Sequence, residues 1–322
     1  MIKLEDIVQK VLSYNSKADI DLINKAYVFT AKAHAGQMRK SGDPYLIHPL
    51  EVAHILADMK LDVSSIAAGM LHDTLEDTQT TKKDIQDLFG ADIAELVDGV
   101  TKISKFKFNT QEEHQAENFR KMIMAMSRDI RVILIKLADR FHNLSTLQFM
   151  PEEKQMSIAQ ETLDIYSPLA SRLGIDWLKL QLEDLSFRFL KPDVYRQIQK
   201  QMVRLKKNRE EYMARVEKAV SEHFTSSIPH FVIAGRLKHA YGIYRKMQRL
   251  NISFEQVHDL LAFRIITNNI EECYEALGLL HSMWKPVPGR FKDYVAMPKA
   301  NNYQSLHTTV ICLDGERVEF QI

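Results

Sequence analysis

The sequence predicts a mainly α-helical protein that closes with a smaller α+β domain built on a mixed sheet. Three observations carry this expectation. Apolar residues recur at helical spacing almost without interruption up to about residue 225. Residues 193–222 form a long charged stretch with little Gly or Pro to break it. After Pro229 the texture changes to short β-branched runs alternating with helical ones. The chain therefore divides into an all-helical domain over 1–152, a helical connector over 153–225 and an α+β domain over 226–322.

Taken in order, Ile20-Leu22-Ile23-Ala26-Phe29-Ala33 lies on one helical face. Leu50-Val52-Ala53-Ile55-Leu56 and Ile85-Leu88-Ile93-Leu96-Val97 repeat the pattern, with Gly36, Gly42, Pro44, Gly90, Gly99 and Pro151 as punctuation. The run Ile130-Arg131-Val132-Ile133-Leu134-Ile135-Lys136-Leu137 is ambiguous: its β-branched residues suit a strand, its neighbours a buried helix. Beyond Pro229, strands are expected at 231–234, 261–266, 293–296, 307–311 and 317–320, with helices near 238–249 and 270–284.

Composition narrows the function classes. At 322 residues, 45% hydrophobic and 26% charged, the chain has ample material for a core. Two cysteines, Cys273 and Cys312, make neither a disulfide framework nor a metal-type CxxC, which suits a reducing compartment. The first residues, MIKLEDIVQKV, carry charges where a signal peptide is apolar, and no run approaches the ~18–20 apolar residues that span a bilayer. A cytoplasmic protein with no membrane partner is expected. Residues 1–100 hold 16 acidic and 10 basic side chains, whereas residues 186–250 hold 15 basic and 5 acidic. An acidic start concentrates cations and a basic middle attracts phosphates. Aromatic interleaving for base stacking is sparse in the basic stretch, which weakens a nucleic-acid reading.

One constellation has metal-site chemistry. His72-Asp73 is followed by Glu76-Asp77, and on a helix positions four apart share a face. An imidazole beside three carboxylates is electrostatically costly unless a cation sits among them. His48 lies upstream and Asp139 downstream; two imidazoles and two carboxylates suit Mn²⁺, Fe²⁺ or Zn²⁺. A metal with open positions makes hydroxide available near neutral pH, and Glu76 and Asp77 remain to orient water or shuttle a proton.

The segments 36–45 (GQMRKSGDPY), 47–49 (IHP), 72–78 (HDTLEDT), 96–102 (LVDGVTK) and 136–143 (KLADRFHN) resemble the hydrolase domain of long RelA/SpoT homologues, an HD-type phosphohydrolase fold. The resemblance implies Mn²⁺-dependent removal of the 3′-pyrophosphate of ppGpp and pppGpp. By that resemblance His48, His72, Asp73 and Asp139 are the metal ligands, and Glu76 and Asp77 the catalytic pair. Arg39, Lys40, Ser41 and Asn143 hold the nucleotide, although Ser145 stands where the family often has a basic residue.

A second constellation lies in the α+β part. Cations at 236, 238, 264, 290, 292 and 299 can neutralise a triphosphate, Asp259 and Glu319 lie at strand borders suited to Mg²⁺, and Tyr303 offers a ring for stacking. The segments 235–239, 259–264, 289–294, 298–307 and 319–322 are similar to the synthetase domain of the same family, a nucleotidyltransferase-like fold. This implies transfer of pyrophosphate from ATP to the 3′-hydroxyl of GDP or GTP. Asp259 then binds Mg²⁺, Glu319 supports the metal or activates the hydroxyl, and Tyr303 stacks on guanine. Arg236, Lys238, His239, Arg264, Lys292, Lys299, Asn301 and His307 hold phosphates or bases. Leu237 replaces the family's usual proline, and Gly242 stands where serine is common. The basic Arg290-Phe291-Lys292-Asp293 is the form that accompanies bifunctional members. The family continues beyond Glu319-Phe320-Gln321-Ile322, so the resemblance implies a synthetase domain truncated at its C-terminal edge, with no ribosome or tRNA contact expected. Two rival readings stay open here: a hydrolase whose second domain only senses nucleotide, and an RNA-binding module using the basic stretch.

Overall fold

The protein is described here from a computed structural model covering residues 2–104, 129–257 and 260–322. It divides into two compact units, Met1–Ser171 with Asp176–Leu190, and Arg172–Ile175 with Lys191–Ile322. Residues 153–225, expected as a connector, do not form a body of their own. Most of the helices before Leu190 pack with the first unit, and the long helix after it belongs to the second.

Apart from an isolated bridge between Met38 and Pro44, the regular elements described in the first unit are helices: α1 (Leu4–Tyr14), α2 (Ile20–Ala33), α3 (Ile47–Asp58), α4 (Val63–Leu71), α5 (Thr74–Asp77), α6 (Lys82–Phe89), α7 (Ala91–Ser104) and α8 (Ile130–Ser145). After these come α9 (Glu152–Glu161), α10 (Ser167–Arg172) and α11 (Asp176–Leu190). Caps mark the starts: Asp19 accepts from the Leu22 N–H, Thr81 and Asp84 form a capping box, and Asp129 accepts from the Arg131 N–H. The ambiguous run at 130–137 is the first half of α8. Its β-branched residues Val132, Ile133 and Ile135 are buried against neighbouring helices, so packing overrides strand propensity.

α3 and α4 are apolar nearly all round because they lie at the centre of the bundle, where every face meets another helix. Gly69 lets them approach: a Cβ there would lie 2.4 Å from Leu56 Cδ1. The motif helix is less regular than its spacing predicts. α4 stops at Leu71, His72 and Asp73 form a turn, and α5 is a single turn. Asp73 (φ −90°, ψ −8°) interrupts the ladder, and the buried end of α4 is capped by His72 Nδ1 to Gly69 O and Thr74 Oγ1 to Leu71 O.

The second unit begins with α12 (Pro192–Phe224) and adds β1 (Val232–Leu237), α13 (Ala240–Leu250), β2 (Leu261–Ile266) and α14 (Ile270–Met283). β3 (Lys285–Pro286), β4 (Lys292–Asp293), β5 (Leu306–Ile311) and β6 (Arg317–Gln321) complete it. The strand expected at 293–296 is shorter and starts one residue earlier. The sheet order is β1-β2-β6-β5-β3, with β4 also on β5. Only β2 and β6 run parallel, which makes the sheet mixed. β6 is an inner strand, paired on both sides, and Ile322 exchanges backbone hydrogen bonds of 2.9 Å with Leu306. One sheet face carries the core: Phe263, Val310, Val318 and Phe320 pack against Val216, Val220 and Phe224 of α12 and Leu280 of α14. Strand alternation sends Arg264, His307 and Glu319 to the opposite face.

Candidate functional site

Four residues from three separate segments of the first unit converge on one point. His48 enters from the first turn of α3, His72 and Asp73 from the break between α4 and α5, and Asp139 from the middle of α8. His48 Nε2 lies 3.2 Å from His72 Nε2, 3.3 Å from Asp73 Oδ2 and 3.3 Å from Asp139 Oδ1. His72 Nε2 lies 3.0 Å from Asp73 Oδ1 and 3.8 Å from Asp139 Oδ1. Both imidazoles and Asp139 are buried.

The tautomers follow from the outer partners. Gly69 O can only accept, so the 2.8 Å contact puts the His72 proton on Nδ1 and leaves Nε2 as a lone pair. Arg39 has no acceptor, so the Nδ1 of His142, 3.0 Å from Arg39 Nη1, must accept. His142 Nδ1 is also 2.7 Å from His48 Nδ1; its one lone pair is shared between the two contacts, so the proton between the rings sits on His48. His48 Nε2 is therefore a lone pair as well. Two lone pairs and two carboxylates face one another, an arrangement that demands positive charge. Burial disfavours a charged His72, yet the carboxylates of Asp73 and Asp139 outweigh it and push its pKa up to about 10. A divalent ion meets the same demand. Donors on ~2.1 Å bonds around one ion stand roughly 3.0–3.4 Å apart, close to the separations observed. The donor set fits a divalent metal, and His48, His72 and Asp139 each bring one ligand atom within 4.8 Å of the others, the one such group among the described residues.

The expected catalytic pair, Glu76 and Asp77, is exposed. Asp73 and Asp77 do share a face, because the Tyr45 hydroxyl lies 2.6 Å from an oxygen of each. One O–H donates to one acceptor at a time, so Tyr45 is shared between them; burial and the two carboxylates hold its pKa well above the usual phenol value. Next to the metal donors opens a cavity of about 390 Å³ lined by Arg39, Lys40, Ser41 and Asn143 together with Lys136, Arg140 and the apolar Leu147, Phe149 and Met150. All four residues expected to hold nucleotide thus border one space, beside two further cations and an apolar wall suited to a ring. Sequence reasoning missed Tyr45, Lys136 and His142. Lys136 and His142 each stand three positions from Asp139, a helical spacing that places them on its face and was available to be read.

In the second unit the outward face of the sheet gathers several expected residues. Arg236, Ala262 and Glu319 lie in one row across β1, β2 and β6. His307 pairs with Lys292 across β4 and β5. Its Nδ1 is 3.2 Å from Glu319 Oε1, and its Nε2 is 2.8 Å from the Tyr303 hydroxyl. The Lys299 ammonium lies over the rings of Tyr294 and Tyr303, at 4.5 and 4.4 Å from their centroids. Arg264 is exposed on β2, Lys238 and His239 lead into α13, and Asn301 is exposed in the loop before Tyr303. Asp259, expected to bind Mg²⁺, lies outside the described residues.

Comparisons with known proteins match a different family model in the earlier and later parts of the chain. The HD domain family matches residues 26–176, and the region found in RelA / SpoT proteins matches residues 235–322. The chain is 57% identical over 315 residues to a GTP pyrophosphokinase of Myxococcus xanthus, covering 97% of this chain and 42% of that protein. Over 322 residues it is 48% identical to the bifunctional (p)ppGpp synthase/hydrolase SpoT of Escherichia coli K12, covering 100% of this chain and 46% of that protein. The chain thus spans under half the length of these relatives.

Proposed function

Because the chain belongs to the RelA/SpoT family, we propose that its first unit hydrolyses the 3′-pyrophosphate of ppGpp and pppGpp, giving GDP or GTP and pyrophosphate, in the cytoplasm. The observation that carries this reading is the convergence of the His48 and His72 Nε2 lone pairs with Asp73 and Asp139 beside a cation-lined cavity with an apolar wall. His48, His72, Asp73 and Asp139 would hold the ion, Mn²⁺ by family resemblance; when bound, it supplies positive charge and acidifies water. The chain's own groups do the rest. Arg39, Lys40 and Arg140 attract the phosphates, and Leu147, Phe149 and Met150 exclude water from one face of the base. Asp77, aimed by Tyr45, and Glu76 accept the proton of the attacking water.

The second unit supports transfer of pyrophosphate from ATP to the 3′-hydroxyl of GDP or GTP. Glu319, at the centre of the outward sheet face, would support Mg²⁺ together with Asp259 or take the hydroxyl proton. Tyr303, under the Lys299 ammonium, would stack on guanine. Chromatography of products from ppGpp with Mn²⁺, and from ATP and GDP with Mg²⁺, tests both. Release of pyrophosphate in the first mixture is expected to vanish in Asp73→Asn, with synthesis in the second mixture retained. Undiminished hydrolysis in that variant removes Asp73 from the site. Hydrolysis without any synthesis, both in this chain and in one lengthened by one or two turns beyond Ile322, points to a second unit that only senses nucleotide.

A further inference from the structure

His142 stands between two groups of the proposed hydrolase site, and neither its motif nor its burial assigns it a role. Its Nδ1 is 3.0 Å from Arg39 Nη1 and 2.7 Å from His48 Nδ1. The other arm of the same guanidinium does something parallel. Arg39 Nη2 donates to Asn143 Oδ1 at 2.9 Å, and Asn143 Nδ2 donates to Asp139 Oδ1 at 2.5 Å. Arg39 therefore forks across two consecutive residues of α8, and each hands the contact on to a different metal donor. A ligating imidazole commonly gives its second N–H to a carboxylate or a backbone carbonyl, as His72 does to Gly69. Another imidazole is an ambiguous partner, because it can donate or accept at the same nitrogen. Arg39 removes that ambiguity, since a guanidinium cannot accept and stays charged.

We propose that His142 is a positioning residue that locks His48 in the Nδ1–H tautomer under the control of Arg39, so that the arginine expected to grip the nucleotide also sets the lone pair His48 offers to the metal. This rests on reading His48 as a metal ligand. The opposite tautomer would push an N–H into the cluster of His72, Asp73 and Asp139 and lose one donor.

Mn²⁺ binding to the metal-stripped chain, read from the free-ion electron paramagnetic resonance signal, tests this without any turnover. His142→Phe keeps the ring volume and loses the acceptor; it should weaken Mn²⁺ binding roughly 10- to 100-fold. His142→Asn puts an amide oxygen where Nδ1 was and should restore most of the affinity. Equal losses in the two variants, or none in His142→Phe, overturn the proposal. Arg39→Ala supplies a second arm if His142→Phe fails to fold. Simple electrostatics makes removal of a cation near the site tighten Mn²⁺ binding, whereas release of the tautomer weakens it. Weaker binding in Arg39→Ala is the expected result. Unchanged or tighter binding in Arg39→Ala overturns the proposal. A wild-type chain that binds no Mn²⁺ sinks the metal reading itself, a separate outcome.

Discussion

Asp139 and Asp73 are both candidate ligands, but their surroundings differ. Burial alone would raise the Asp139 carboxyl; the Lys136 ammonium, 2.6 Å away, and the two imidazoles hold it well below the usual range. Lys136 is itself nearly buried, with its side chain 13% exposed. Removing the Asp139 charge leaves that ammonium without its carboxylate in a place water barely reaches, whereas Asp73 pairs with no lysine or arginine among the described contacts. Asp139→Asn and Asp73→Asn are both expected to abolish Mn²⁺ binding. Both should also cost the metal-free protein stability, because Asp73 too is held by the imidazoles of His48 and His72; Asp139→Asn should cost more, roughly 3 kcal/mol. Urea unfolding in chelator measures this, and equal midpoints for the two variants would contradict it.

At the scale of elements, the first unit is tied by one arginine at a helix start. Arg131, in the first turn of α8, reaches Asp129 before it at 2.6 Å, Asp92 in the first turn of α7 at 2.6 Å and Asp62 at the start of α4 at 3.3 Å. Three helix starts are thus pinned by one charge, and three carboxylates gathered at helix N-termini are further favoured by the helix dipoles. Hydrogen bonds from Arg131 are the main reason that Asp92 and Asp129 titrate below their ordinary values. A depressed folded-state value means stability that is present above the unfolded value of about 3.9 and lost as pH falls through the folded one. Arg131→Met should therefore be less stable than wild type near neutral pH, and should lose less stability on acidification below about pH 4. Parallel acid-unfolding curves for the two proteins would count against this.

At the scale of the whole molecule, each unit has its own core. The first is built on α3 and α4, and the second on the inner sheet face with α12 and α14. The proposed Mn²⁺ site draws every donor from the first unit. Mn²⁺ at about 100 times its Kd should therefore add roughly 2.7 kcal/mol to one thermal transition, that of the first unit, and leave the other in place. Calorimetry with and without chelator separates them. A single transition that moves as a whole would show that the two units unfold together.

How much of this was legible in advance depends on the range of the interaction. Helical and strand periodicities are local, so the helix at 192–224 and the strands at 261–266 and 306–311 were readable from the chain, and so was the change of architecture near Pro229. That His48, His72, Asp73 and Asp139 belong together as candidate donors was legible because their side chains can share only a few kinds of chemistry. The run at 130–137 was undecided, since β-branched residues suit a strand and a buried helix alike, and only the helices packed around it settle the choice. The break at His72-Asp73 was hidden for a related reason: spacing cannot say that capping by His72 and Thr74 satisfies the buried end of α4. Tautomers, the sharing of Tyr45 and the Arg39–His142–His48 chain lay further from view. They join residues up to 103 positions apart, and hydrogen-bond direction is decided by which donor meets which acceptor once the helices have packed. The sequence by itself determined which chemical groups were present and which elements would carry them; the tertiary structure alone decided which of them meet, because burial removes the water that would otherwise serve as every group's partner.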